Sequence, residues 1–204
     1  MRRTPRALSC LAVAALTALG GVAAADGIHQ GFNGSFPPSG WTVIDAAQTG
    51  VEWQRNTAWG DDNWTGGIGA CAEVSSSHSP GQDYDTSLLS PVFTVPSDAV
   101  LFFRANYQNF MGQDRFEVWV RVGMNIYALL SWSEDHGAFE STPGVGPVVD
   151  VSAWAGESVQ IEFRYHNDPG PVHDDYYVQI DDVIVDDETS VKQTGWGTIK
   201  ALYR

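Results

Sequence analysis

With 204 residues, the chain can build one domain with a good-sized core, at a length where β-sandwiches commonly stand alone. Its 25 acidic side chains outnumber the 11 basic ones, for a net charge of −14 at pH 7, and such a surface repels phosphate backbones and anionic lipid, which argues against nucleic acid or a membrane surface as partner. Only 18% of residues are charged while 21 Gly, 8 Trp, 7 Tyr and 9 Phe are present, a balance that suits a β-rich secreted domain and not a disordered acidic tail.

In chain order, Met1–Ala25 reads as a secretory leader. Arg2, Arg3 and Arg6 precede the apolar run Ala7–Ala18, and Ala23-Ala24-Ala25 supplies small residues for cleavage before Asp26. The expected domains are therefore the leader at 1–25, a β-sandwich at 26–187 and a C-terminal tail at 188–204. The product is expected to be secreted or held at a bacterial cell surface. No later apolar run matches the leader in length, so the mature chain is expected not to insert in a membrane.

Past the leader, short strands are predicted at Trp41–Ile44, Val51–Gln54, Cys71–Ser75 and Val92–Val95, and again at Val100–Phe103 and Tyr177–Val185. The clearest are Phe116–Val122 and Val159–Tyr165, where apolar residues occupy every second position, the period of a half-buried strand. Pro37-Pro38-Ser39-Gly40, Ser79-Pro80-Gly81 and Pro169-Gly170-Pro171 punctuate the intervals, and Ser152–Glu157 has room for one helical turn. Together these predict an all-β fold of two packed antiparallel sheets. Cys71 is the only cysteine after the leader, so it pairs with no other in the mature chain and reads as a small buried hydrophobe. The tail Val191–Arg204 carries Trp196, Ile199, Leu202 and Tyr203 and reads either as a docked segment or as an address for export or assembly.

Catalytic signatures are missing. The five histidines (His29, His78, His136, His166, His173) never take the His-Glu-x-x-His spacing of a zinc protease, and neither a Gly-x-Ser-x-Gly elbow nor a phosphate-cradling glycine loop is present. Glycosidases on sandwiches need two carboxylates on one strand face. Asp181 and Asp182 come nearest, yet adjacent residues of a regular strand point to opposite faces. The chain is thus expected not to be an enzyme. Most of its acidic pairs (Asp61-Asp62, Asp174-Asp175, Asp186-Asp187) read as solvated, but Asp181-Asp182 interrupts an apolar strand, where an unpaired carboxylate is costly, with no Lys or Arg nearby in sequence. Trp59-Gly60-Asp61-Asp62-Asn63-Trp64 is the candidate ligand loop. There Trp59 and Trp64 would stack on sugar rings or apolar groups while Asp61, Asp62 and Asn63 accept or donate hydroxyl hydrogen bonds; the plainer alternative makes the tryptophans plugs at the end of the sandwich. Trp41 and Trp53 read as core.

Several segments in fixed order resemble one family. They are Gly31–Asp45 with its Pro-Ser-Gly-Trp turn, Val51-Glu52-Trp53-Gln54-Arg55, Tyr84–Pro91, Arg115–Val120, Ala155–Tyr165 and Gln179-Ile180-Asp181-Asp182-Val183. From about Gly31 to Val185 the chain is similar to the MAM-like jelly rolls of bacterial secreted proteins, the choice-of-anchor J and cleaved-adhesin domains. Asn33 stands where that family often has an acid, and Ser39 lengthens the Pro-Gly-Trp turn by one residue. The resemblance implies a jelly-roll β-sandwich with a non-catalytic adhesin-like or carbohydrate- or protein-binding role toward an extracellular glycan or protein surface. It also implies a calcium ion tying the first strand to the last through Asn33, Asp181 and Asp182. The alternatives are a glycan-cleaving enzyme on the same sandwich and a structural component of the cell envelope addressed by its tail.

Overall fold

Residues 25–78, 81–110, 112–167 and 176–187 are described by the computed structural model. The leader before Ala25, Ser79-Pro80, the Pro169-Gly170-Pro171 turn, Asp174-Asp175 and the tail from Glu188 lie outside the described residues. Within them the strands are β1 (Ala25–Asp26), β2 (Ile28–Gln30), β3 (Thr42–Asp45), β4 (Gln54–Arg55), β5 (Ala72–Ser75), β6 (Asp85–Leu89), β7 (Phe93–Thr94), β8 (Ala99–Gln108), β9 (Asp114–Val122), β10 (Asn125–Trp132), β11 (Val148–Asp150), β12 (Ser158–Asn167) and β13 (Tyr177–Asp187). Two single 3-10 turns, Asn56–Ala58 and Ser152–Trp154, are the helical content among these residues, the second falling where a helical turn was expected. No helix among them is long and apolar enough to cross a membrane.

Alternation assigns the layers. Phe116, Val118 and Val120 of β9 and Val159, Ile161, Phe163 and Tyr165 of β12 turn their side chains inward from the first sheet. Leu101, Phe103, Ala105 and Tyr107 of β8 meet them from the second. Phe103, Phe116 and Phe163 contact one another at 5.2–6.4 Å between ring centres, so the core is an aromatic stack closed by Trp41 and Trp53, both buried as expected. Each such side chain contributes about 1.5–3 kcal/mol by leaving water.

The first sheet is organised on β12. β9 and then β10 extend from one edge, while β7 pairs with Ser158–Val159 and β6 with Glu162–His166 on the other, continued by β1 and β3. The second is organised on β13, with β8 and β11 on one edge, and β5 (continued by β4) and β2 in series along the other. All pairings are antiparallel except β1 with β7. The fold is an all-β jelly-roll sandwich, as predicted. The hairpin between β9 and β10 is closed by Gly123-Met124, with Gly123 at φ 59°, a first turn position that glycine occupies without strain.

One strand departs from the regular reading. The inward set of β13 is Val178 and Ile180, then Val183 and Val185, a change of parity. Pairing with β8 jumps from Asp181↔Arg104 to Ile184↔Phe102, so β13 carries one extra residue, and Asp182 takes φ 48°. Asp181 and Asp182 therefore do not point to opposite faces; both carboxylates lie beside Gly31 on the outer side. The strand predicted at Val51–Gln54 also shrinks to Gln54–Arg55, because Val51 and Trp53 are anchored in the core before pairing begins. β10, with most of its side chains exposed, was not predicted. Cys71 is buried and free, and burial, then the charge of Glu73, pushes its thiol far up.

Candidate ligand cavity on the outer face of the second sheet

On β5, β8 and β13, the polar residues Glu73, Asn106 and Gln179 stand between core positions, yet all three are buried. Gln54, Glu73, Gln179 and Asn106 form one cross-strand row, since Glu73 is in register with Gln54 and Gln179, and Gln179 with Asn106. Each buried amide clamps a loop. Gln179 Nε2 donates to the Asp62 carbonyl (2.9 Å) and to Glu73 Oε2 (2.8 Å), and its Oε1 accepts from Trp64 N (2.8 Å). Asn106 Nδ2 donates to the carbonyls of Ala138 and Thr142, both at 3.1 Å, while its oxygen accepts from Tyr177 OH (3.2 Å). Asn56 closes the base of the first loop, donating to the Asp61 carbonyl (2.7 Å) and accepting from Cys71 N (3.0 Å).

Between these two loops lies a cavity of about 170 Å³. Trp64, Phe139, Tyr176 and Tyr177 wall it, and Asp61, Glu73, His78 and Glu140 supply charged or ionisable groups. The rings are mutually braced: Trp64 against Tyr177 at 5.0 Å and Phe139 against Tyr176 at 4.6 Å. Phe139 is 46% exposed, which leaves its ring available to a partner. Against the roughly 300–1,000 Å³ of ordinary ligand pockets, this volume suits one sugar ring or one side chain. A larger cleft of about 540 Å³ opens near the edges of β3 and β4. Its charged groups are Glu52 and Arg55, and Arg55 is engaged with Thr57 and the Gly34 carbonyl, so it offers less chemistry for recognition.

Of the ligand loop read from sequence, Asp61 and Trp64 line the cavity. Trp59 lies behind them, its ring stacked on that of His78 at 4.7 Å. Asp62 points an exposed side chain outward, and Asn63 is turned inward to build the loop, donating to the Gly69 carbonyl and Asp181 Oδ2 and accepting from Thr65 N and Oγ1. Asp61 is not simply solvated, since its Oδ2 meets His78 Nε2 at 3.0 Å. Glu73, His78, Phe139, Glu140, Tyr176 and Tyr177 were not found from sequence. The available signal was polar residues within apolar strands: Glu73 in Ala72-Glu73-Val74 and Gln179 in Val178-Gln179-Ile180. Glu73 is fully buried, and burial, then the nearby Asp61 charge, raises its carboxyl from 4.5 to about 9 despite the hydrogen bond from Gln179. An oxygen of Asp61, an oxygen of Glu73 and a nitrogen of His78 lie within 4.8 Å of one another.

Asn33, Asp181 and Asp182 do converge, around Gly31. A Cβ on Gly67 would collide with the Asp181 carboxylate and one on Gly69 with the Asn33 side chain, so glycine keeps this space open. Asp181 is 1% exposed and accepts from Asn63 Nδ2 (2.9 Å) and Asp182 N (2.8 Å), and burial lifts it from 3.8 to about 6. Arg104, distant in sequence, pairs with Asp182 at 2.7 Å. Asn33 accepts from Ala70 N and donates to the Ile68 carbonyl. The donor set fits an oxygen-preferring cation, with one carboxylate, Asp181, held only by neutral donors.

Two packed sheets, a bulged closing strand and loops folded over an outer face define a jelly-roll β-sandwich. No protein-family model matches the chain. It is 26% identical to hemagglutinin A of Porphyromonas gingivalis over 192 aligned positions, taking in 80% of this chain and 8% of that protein. The chain thus spans less than a tenth of that relative's length. Among solved structures it matches the K1 cleaved adhesin domain of Lys-gingipain from Porphyromonas gingivalis with a TM-score of 0.57 at 21% identity, covering 79% of this chain and 98% of that one. The K2 cleaved adhesin domain of Lys-gingipain gives 0.56 at 19%, covering 78% and 97%. At these identities the likeness establishes the fold.

Proposed function

We propose that the chain is a non-catalytic, adhesin-like binding domain acting outside the cell, which holds a glycan ring or a protein side chain in the cavity of Trp64, Phe139 and Tyr177. The observation that carries this reading is the cavity itself, aromatic walls beside Asp61 and Glu140, a combination that stacks on apolar faces while accepting hydroxyl hydrogen bonds. The secretory leader read at 1–25 and the hemagglutinin and adhesin names of the similar proteins support an extracellular setting. An array of glycans and extracellular proteins, probed with the full chain, tests it. Selective capture is expected; uniform silence would remove the proposal.

The Asp61–Glu73 pair favours a second reading, glycan cleavage, because two close carboxyl groups with one strongly raised can serve as nucleophile and acid. Binding is preferred because Glu73 is fully buried under Gln179, with Asp61 bonded to His78. Incubating the captured glycans with the chain and assaying new reducing ends separates the two; turnover lost in Glu73→Gln would establish the enzyme.

Calcium at Asn33, Asp181 and Asp182 belongs to the same proposal, supported by their convergence around Gly31 and by the poorly compensated burial of Asp181. Bound, the ion would supply positive charge to Asp181 and link the segment after β2 to β13. A ligand of the folded state alone raises stability with its concentration, by about 2.7 kcal/mol at a hundredfold excess over the dissociation constant. The melting temperature should rise with calcium, fall with chelator, and lose that response in Asp181→Asn. An identical midpoint in calcium and chelator would discard the ion.

A further inference from the structure

We infer that Asp61, Glu73 and His78 form a binding site for a divalent cation of the zinc class, on one wall of the aromatic cavity. Three donor atoms, one from each side chain, already lie within 4.8 Å of one another. Zinc holds imidazole nitrogen and carboxylate oxygen at about 2.0–2.2 Å, which sets neighbouring ligand atoms about 3.4 Å apart, so a modest inward movement completes the set. His78, exposed beyond the end of β5, is the ligand placed to make it, and its nitrogen is already 3.0 Å from Asp61.

The independent observation is Glu73. A simple His78–Asp61 ion pair accounts for two of the residues and leaves the third unexplained. Glu73 is fully buried, Gln179 donates to Oε2, and Oε1 meets no N–H or hydroxyl donor among the described residues, its polar neighbour being the Asp61 carboxyl. Two carboxyl groups that face each other where no donor reaches need positive charge between them, from a shared proton or from a cation that displaces it. The arginines on neighbouring strands of the sheet are engaged elsewhere, Arg55 with the Gly34 carbonyl and Arg104 with Asp182. A cation at the centre of the three groups would meet Oε1, Asp61 and the imidazole at once.

The donor chemistry selects the ion. Calcium and magnesium take oxygen ligands, whereas imidazole suits zinc and its transition-metal neighbours. The oxygen-only group of Asn33, Asp181 and Asp182 is therefore a different kind of site. Outer contacts that orient metal ligands are also present: Gln179 on Glu73, and the Trp59 ring stacked on the His78 ring with their planes 14° apart. Three protein ligands leave a fourth position toward the cavity, the arrangement of a zinc site that accepts an exogenous ligand. Cation binding is read without any glycan, so the inference stands or falls apart from the proposed binding role.

The test is calorimetric titration of zinc chloride into the untagged full chain after treatment with chelator and dialysis. The wild type should take up one zinc per chain, in the presence of millimolar calcium. His78→Asn and Glu73→Gln should bind about tenfold more weakly or worse, since each removes a direct ligand. His78 is exposed, so His78→Asn keeps its fold and decides the matter if Glu73→Gln does not. No uptake by the wild type, or equal affinity in His78→Asn, would overturn the site.

Discussion

Glu73 gives the fold a pH response of defined sign. Its carboxyl ionises near 4.5 in the unfolded chain but is pushed up to about 9 in the fold, first by burial and then by the charge of Asp61. Between those values the folded state holds the extra proton, so this contribution is complete below pH 4.5 and is lost as pH rises toward 9. Asp181, raised to about 6, adds a decline of the same sign that ends earlier. In chelator, the unfolding free energy should therefore fall from pH 5 to pH 9, by at most about 1.4 kcal/mol per pH unit from Glu73. Glu73→Gln should flatten that fall in urea titrations at pH 5, 7 and 9. A wild type equally stable at all three would refute the assignment. At this scale the sequence was half legible. Trp41 and Trp53 are buried as the family resemblance implied, Cys71 is buried as its small neighbours implied, and Trp64 and Asp61 reach the cavity. Glu73 was hidden because alternation in a single strand separates inward from outward, and says nothing of whether a loop covers the outward side.

The same physics governs the elements. β9 and β12 were readable because every second residue is apolar and both lie centrally in one sheet. β10 was not, because an edge strand can leave most side chains in water, and a register shift between Ala128 and Leu130 breaks its period. The bulge in β13 had a readable mark, the shift from Val178 and Ile180 to Val183 and Val185. The loops were illegible as elements because their anchors are amides on other strands. The loop at 138–144 receives two hydrogen bonds from Asn106, and it also carries the Glu140 N bond to Tyr177 OH (2.9 Å) and the Gly144 N bond to the Ala105 carbonyl (3.0 Å). Asn106→Ala removes one donor from each of the Ala138 and Thr142 carbonyls, which keep their backbone bonds from Ser141 N and Ala138 N, so the expected loss is about 0.5–1.5 kcal/mol per bond. Amide exchange should rise at Ala138, Glu140 and Gly144 and remain slow in β12. Unchanged protection in 138–144 would show that Asn106 does not hold the loop.

At the scale of the whole molecule, two sheets enclose an aromatic core while the outer face of one carries a row of buried polar residues roofed by loops. The jelly-roll fold is shared with domains only 19–21% identical to this chain. The roofed layer holds the cavity to which the proposed binding is assigned. Jelly roll and segment order could be read from alternation and resemblance, while the cavity required the register that sets Glu73, Gln179 and Asn106 in one row. Trp64 is half-buried and tethered through its backbone to Gln179, so removing its ring should leave the sandwich intact. The most direct measurement is therefore the binding of wild type and Trp64→Ala, side by side, to an array of glycans and extracellular proteins, with thermal melts of both. Capture by the wild type, lost in Trp64→Ala at a nearly unchanged melting temperature, is the expected result; equal capture by the two proteins would contradict a binding site in this cavity.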